Sequence, residues 1–324
     1  MDESQNPYLL FDEDWYIEPK QEEKDALIAQ LQSGKFSLSY SSLSAFSVSP
    51  RNFIAYKLKE RVTTKAMILG EAVHCKVLEP EQFKERYYIA PTVNASTSEG
   101  KNAWAEIYME LTGDTLPTNK VGNYVIPKVD DLIAAVKLHT AKVDSETGKT
   151  IFPGITILPG AVNEAADFRA RMLIKNRATR WVINQITQVE TNIEFDFCGF
   201  KFKGRVDGSG PGIIGDLKNM PDATLRPAKY TIMGRKMYWQ AFCYDTAMGT
   251  GNDCYILAVD GNGETSAHKF DQSHLEKSEV EMREYCTQLQ QLIEESHFDP
   301  TVWDQSQDFW LRNENNPYGI NFLS

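Results

Sequence analysis

The sequence lacks a long apolar run, which argues against a protein that crosses a membrane. No stretch approaches the roughly 20 consecutive apolar residues that a transmembrane helix needs. The first six residues are polar and acidic, so we expect no secretory signal there. The five cysteines are an odd number without paired short spacing, which argues against a disulfide framework or a zinc knuckle. We therefore expect a cytoplasmic protein with no membrane partner.

Positive charge is also scarce. The 324 residues include 34 Lys and Arg against 45 Asp and Glu, a formal net charge of −11. A nucleic-acid binder needs basic side chains near the phosphates, so that role would require a local basic surface. Residues 218–236 supply one, with five basic side chains against the single acid Asp222. A solvated face explains these basic residues equally well on charge alone.

Apolar periodicity changes character near residue 186. Before it, the pattern predicts helices over Glu22–Gln32, Met67–Glu79, Lys101–Leu111, Pro127–Asp144 and Ala161–Asn184. After it, the pattern predicts strands over Thr187–Phe197, Phe200–Asp207, Ile213–Lys218, Asp253–Val259 and Ser266–Phe270, with helices over Met237–Met248 and Ser273–Ser296. The fold class predicted is α/β, a central mixed β-sheet flanked by helices, with a largely helical N-terminal half.

Two of the predicted strands carry acids where a buried strand prefers apolar residues. Asp207 ends one strand, and Asp216 and Lys218 lie two apart on the next, so their side chains leave the same face. Two carboxylates and a lysine are costly to bury together unless a divalent cation lies among them. Oxygen ligands favour Mg²⁺, with Mn²⁺ as a substitute, over zinc. The competing interpretation is a surface ion pair at a strand end.

Five motifs, in the same order, resemble the PD-(D/E)XK nuclease superfamily. Within it they resemble the exonuclease VIII (RecE-type) group of phage-derived enzymes, relatives of the RecB nuclease domain and lambda exonuclease. The motifs are Ser39–Phe46 with Ser49–Phe53, Leu69–His74 with Leu78–Phe83, Lys203–Asp207, Gly215–Lys218 and Tyr238–Tyr244. One departure is Val206, which stands where the superfamily's name has proline. The resemblance implies a restriction-endonuclease-like core.

The resemblance also implies roles for individual residues. Metal binding would fall to His74, Asp207, Asp216 and the main-chain carbonyl of Leu217, with Glu194 as an accessory acid. Without the resemblance, His74 on an apolar helix is more typical of a core or surface residue. Lys218 would be the catalytic lysine. Gln240 and Tyr244, four apart on one helical face, would orient it, contact a phosphate, or simply pack. The candidate DNA-binding residues are Lys203, Arg205, Arg226, Lys229, Arg235 and Lys236.

The function that the resemblance implies is a Mg²⁺-dependent 5′→3′ exonuclease on double-stranded DNA ends. It would leave 3′ single strands for an annealing protein in phage-type recombination, inside a bacterial cell, and would form a homo-oligomeric ring. The alternatives are a RecB-like single-strand or structure-specific nuclease in a larger complex, and a non-catalytic DNA-binding protein. We expect an arm and helix over residues 1–36, one nuclease domain over 37–300 with an insert around 91–160, and an aromatic-rich tail over 301–324.

Overall fold

The computed structural model describes residues 20–58, 64–90, 94, 96–126, 128–145, 150–295 and 300–303. Most of the arm that precedes the first predicted helix, and the aromatic tail after Trp303, lie outside these residues. In the part of the chain that is described, no helix is both long and apolar enough to cross a membrane.

Helices dominate the chain before residue 186, and most of the strands follow it. The helices are α1 Gln21–Gln32, α2 Tyr40–Val48, α3 Pro50–Leu58, α4 Lys65–Leu78, α5 Phe83–Arg86, α6 Ser98–Thr112, α7 Val129–Thr140, α8 Gly160–Lys175, α9 Arg177–Ile183, α10 Leu225–Gly234, α11 Met237–Met248, α12 Gln272–Glu295 and α13 Pro300–Trp303. The strands are β1 Ser37–Leu38, β2 Tyr87–Ala90, β3 Lys142–Val143, β4 Thr150–Phe152, β5 Thr156–Pro159, β6 Gln188–Phe197, β7 Phe200–Gly210, β8 Ile213–Asn219, β9 Asp253–Val259 and β10 Thr265–Lys269.

A six-stranded mixed sheet forms the centre of the fold, in the order β1-β7-β8-β9-β10, with β6 also paired to β7. The strands β6 and β7 form a long antiparallel hairpin. Its turn is Cys198-Gly199, where both residues have positive φ, as two-residue hairpin turns require. The predicted fold class, a central mixed sheet flanked by helices, is confirmed.

Strands β7 and β8 pair only briefly and then diverge. Their antiparallel register covers Gly208–Gly210 against Ile213–Gly215. On its other edge β8 pairs in parallel with β9 over its whole length. The start of β7 pairs in parallel with β1. We call the opening between β7 and β8 the fork, and Asp207 lies where it begins.

Each face of the sheet is covered by its own helices. Alternation along β8 directs Ile214 toward the core that α2, α11 and α12 share, and directs Leu217 toward the core formed with α4, α8 and α9. Asp216, two residues after Ile214, therefore faces α11. The first core also includes Leu27 of α1 and Trp303, so both the arm helix and the start of the tail pack against the body of the protein.

The predicted helix over Ala161–Asn184 is two helices in the structure. It is interrupted at Asn176, whose side chain accepts hydrogen bonds from the Ala178 and Thr179 amides at 2.8 and 3.3 Å. Asparagine is among the best residues for capping a helix N-terminus, so the chain restarts there as α9. The predicted insert around 91–160 contains β5, which pairs in parallel with β2.

Candidate metal centre

Three potential metal ligands converge at the fork: His74 from α4, Glu190 from β6 and Asp207 from β7. One ligand atom from each lies within 4.8 Å of the other two. The closest approach of His74 to Asp207 is 3.5 Å, between Nδ1 and Oδ2. One imidazole and two carboxylates in so small a volume form a donor set suited to a divalent cation.

Glu190 occupies its position through an uncommon backbone conformation. Its φ is 52°, in the left-handed region that costs a non-glycine residue roughly 1 kcal/mol or more. Its Oε2 atom is buried, and Arg205 Nε lies 2.6 Å away but outside hydrogen-bond geometry. Burial raises the pKa of Glu190; Arg205 opposes that rise and Asp207 adds to it. A strained, buried and poorly satisfied carboxylate is what an additional cation would stabilise.

Asp216 and Lys218 form an ion pair beside this cluster. The Lys218 ammonium is 2.6 Å from Asp216 Oδ2, and Gln240 Nε2 donates a hydrogen bond to Oδ1 at 3.0 Å. Burial raises the pKa of Asp216 to about 7; Lys218 opposes the rise, and Asp207 reinforces it. Burial alone would lower the pKa of Lys218, but the carboxylates of Asp216 and Asp207 outweigh it and raise that pKa.

The main chain of Leu217 joins the two groups of side chains. Its N–H donates to Asp207 Oδ2 at 2.9 Å, and its carbonyl oxygen is 2.8 Å from His74 Nε2. The carbonyl predicted to bind metal is thus already in contact with the predicted metal-binding histidine. His74, Asp207, Leu217, Asp216 and Lys218 therefore form one continuous site.

Gln240 and Tyr244 hold the two arms of the fork in position. Gln240 Nε2 donates to Asp216 on β8 and to the Tyr244 hydroxyl. That hydroxyl donates to the carbonyl of Arg205 on β7 at 2.7 Å. Burial raises the pKa of Tyr244, so it remains a neutral phenol. Together the two side chains link β8 to β7.

Tyr40, which was not among the predicted site residues, also borders the site. Its hydroxyl donates to the Arg235 carbonyl at 2.8 Å. Burial raises its pKa to about 12, and the charges of Lys218 and Asp216 act on it as well. The available signal was its place in the first motif, directly after Ser39, which caps α2.

Glu194, the predicted accessory acid, does not lie in the cluster, where the nearby acid is Glu190. Glu194 is half-exposed and pairs with Lys201 and Lys203, at 2.7 and 3.4 Å. It lies four residues farther along β6, about 13 Å at the rise of a strand. The hairpin turn could have revealed this, because pairing Phe197 with Phe200 places residue 190 opposite Asp207.

The predicted DNA-binding residues divide into three groups. Lys203 and Arg205 have acidic partners, Glu194 and Glu190 respectively. The Lys236 ammonium lies 4.3 Å from the centroid of the Trp239 ring and donates to Ser47 Oγ. Burial lowers its pKa. These contacts hold the Lys236 ammonium against the protein, unlike the exposed members of the set. The exposed basic residues of this set that have no acidic partner among the described side chains are Arg226, Lys229 and Arg235.

Comparisons with known proteins found little. No family profile and no curated protein matches the chain. Among solved structures, it resembles a protein from Eubacterium rectale that is provisionally described as an exonuclease. The identity is 12%, the TM-score is 0.46, and the match covers 86% of this chain and 88% of the other. A likeness of this degree does not identify a function.

Proposed function

We propose that this protein is a divalent-metal-dependent deoxyribonuclease with a PD-(D/E)XK-type centre. The observation that carries the proposal is the convergence of His74, Glu190 and Asp207 within 4.8 Å, beside the buried Asp216 and its ion-pair partner Lys218. A surface ion pair, the competing interpretation, does not account for an almost fully buried aspartate. Buried ionic groups of this kind are costly to maintain, and they concentrate at functional sites.

The residues present fit a cation. His74, Glu190 and Asp207 would hold it, and Asp216 with the Leu217 carbonyl would complete its surroundings. Glu190 Oε2 and Asp216 Oδ2 are buried oxygens, each with one cationic neighbour at 2.6 Å, and each carboxylate oxygen retains a further lone pair for a cation. The chemistry that such a cation supplies when bound is polarisation of a phosphoryl oxygen and activation of a water molecule. Mg²⁺ is our proposed ion, with Mn²⁺ as its substitute.

The chain's own groups supply orientation and charge. Lys218 orients a water molecule or offsets the negative charge that develops on the phosphate. Gln240 and Tyr244 fix Asp216 relative to β7, so the two carboxylates keep their separation as substrate binds. Arg226, Lys229 and Arg235 on and after α10 are the exposed basic residues that would contact phosphates.

The finer features of the proposal rest on the motif resemblance. They are digestion from 5′ to 3′ at double-stranded ends, a homo-oligomeric ring, cooperation with an annealing protein, and a phage or prophage origin inside a bacterial cytoplasm. A ring would reconcile an acidic exterior with a basic channel around DNA. Light scattering after size-exclusion chromatography that finds only monomers would contradict the ring.

The test of activity uses a linear duplex with different labels on its 5′ and 3′ ends, with and without Mg²⁺. We expect metal-dependent release of the 5′ label first, and no digestion of a closed circle. Asp216→Ala should abolish cleavage while DNA binding remains. Cleavage that persists in this variant would refute the site assignment, and digestion of the circle would favour a structure-specific nuclease.

A further inference from the structure

A basic and aromatic surface lies on the face of the sheet opposite Asp216. Residues 168–181, which run from α8 into α9, contain five basic side chains and no acid, in a chain whose net charge is −11. On α9, Trp181 is 52% exposed, and its ring meets that of Tyr255 edge to face at 6.1 Å. Trp181 is the only tryptophan among the exposed large side chains of the described residues.

These aromatic rings border an open surface pocket of about 480 Å³. Its walls include Arg177, Ala178, Trp181, Tyr255, Ala267 and Lys269. The volume falls within the roughly 300–1,000 Å³ of small-ligand pockets. We call this surface the α9 pocket. It combines an apolar floor, two aromatic rings and two cations, and Lys269 has an exposed partner, Asp253, at 2.7 Å.

The α9 pocket is separate from the metal centre. Tyr255 pairs in register with Gly215, next to Asp216. Side chains alternate along a strand, so Asp216 faces α11 while Tyr255 packs with the core of the opposite face. None of the residues of the metal centre lines this pocket. A ligand in the α9 pocket would therefore not touch the residues of the metal centre.

We propose that the α9 pocket binds single-stranded DNA, with a base stacked on Trp181 and neighbouring phosphates at Arg177 and Lys269. Charge complementarity selects a polyanion, and aromatic rings beside cations form the usual platform for unpaired bases. An exposed ion pair contributes little, so a phosphate can replace Asp253 as the partner of Lys269 at small cost.

A strand held on this face is kept away from Asp216 and Lys218. If the protein degrades one strand of a duplex, the pocket receives the strand that is spared. That assignment of the strand rests on the proposed nuclease function, whereas single-strand binding itself does not.

The test measures binding of a fluorescein-labelled oligo(dT) to the full chain by anisotropy, in EDTA so that no metal-dependent hydrolysis occurs. Trp181→Ala should weaken binding about fivefold or more, because one stacked base is lost. Arg177→Ala should weaken it and reduce its salt dependence. The control is Arg171→Ala, which removes an exposed cation of the same basic stretch that does not line the pocket. A blunt duplex should be less sensitive than oligo(dT) to Trp181→Ala.

An affinity for oligo(dT) that is the same in Trp181→Ala and the parent would overturn the proposal. So would an equal loss in Arg171→Ala and Arg177→Ala. A change in oligomeric state without a change in affinity would reassign the pocket to a second copy of the chain. Cleavage of duplex DNA is measured in parallel. If Trp181→Ala weakens oligo(dT) binding but the parent does not cleave duplex DNA, only the nuclease function is refuted. If the parent cleaves duplex DNA but Trp181→Ala binds oligo(dT) as the parent does, only this inference is refuted.

Discussion

Glu190→Gln tests the metal centre, because it removes one carboxylate charge while keeping the size and shape of the side chain. Two opposing effects are expected without metal. The carboxylates of Glu190 and Asp207 have oxygens within 4.8 Å, a repulsion of about 3.5 kcal/mol at an effective dielectric constant near 20. The variant relieves that repulsion but deprives Arg205 of its partner at 2.6 Å. We expect the melting temperature of the metal-free protein to stay close to that of the parent.

The response to metal should differ sharply. A cation at 100 times its Kd stabilises the folded state by about 2.7 kcal/mol. Changing residues that only support a ligand already weakens binding by about 10–100-fold, so losing a ligand should cost at least the upper figure. At the same metal concentration the variant would then be half saturated, and the stabilisation falls to about 0.4 kcal/mol. At about 2 °C per kcal/mol, the shift falls from about 5 °C to about 1 °C.

The assay is thermal unfolding at increasing Mn²⁺ or Mg²⁺ concentration. Glu194→Gln is the matched control, since it makes the same change on the same strand, where the carboxylate is half-exposed and pairs with Lys201 and Lys203. It should respond to metal as the parent does. If Glu190→Gln keeps the full metal-induced shift, or if Glu194→Gln loses it, the cluster is not the metal site.

Three further predictions concern residues around the site. Tyr244→Phe should lower the free energy of unfolding by about 1 kcal/mol and reduce the cleavage rate without changing DNA affinity, because it loses the hydrogen bond to β7; an unchanged rate in a kinetic assay would contradict this. Lys229→Ala should reduce the slope of log affinity for duplex DNA against log salt by about 1, whereas Lys236→Ala should leave the slope unchanged and lower the melting temperature. Gly210→Ala should destabilise far more than Gly212→Ala in urea unfolding, because a Cβ at residue 210 would lie 1.9 Å from a main-chain oxygen, whereas one at residue 212 meets nothing within 4 Å and costs only the strain of a positive φ.

The central sheet could be predicted from sequence because its strands carry strong local signals. Asp253–Val259 and the helix over Met237–Met248 match the structure residue for residue. The errors arose where a polar side chain or a distant strand decided the outcome. Asn176 interrupts a long apolar pattern by capping α9, and β5 becomes a strand only because β2 lies beside it. Pairing partners of that kind leave no periodicity in the local sequence.

Site residues that share one strand could be predicted from the sequence. Those whose position depends on how two strands pair were harder to predict. Asp216 and Lys218 lie on one face by alternation alone, as the ion pair between them reflects. Choosing between Glu190 and Glu194 required the register of the hairpin, and both are acids on the same strand. Lys236 was predicted to contact DNA because its local charge pattern is that of a basic surface. Only the packed structure shows its ammonium over the rings of Trp239 and Tyr285.

The fork explains how His74, Asp207 and Leu217, which are far apart in the sequence, come into contact. If β7 and β8 stayed paired beyond Gly208, the Leu217 amide would be committed to the ladder. Because the strands part, that amide instead donates to the Asp207 side chain, and the Leu217 carbonyl faces His74. Two side chains of α11 connect the separated strands: Gln240 donates a hydrogen bond to Asp216 on β8, and Tyr244 donates one to the Arg205 carbonyl on β7. Separation of two strands thus creates the site, and α11 fixes its width.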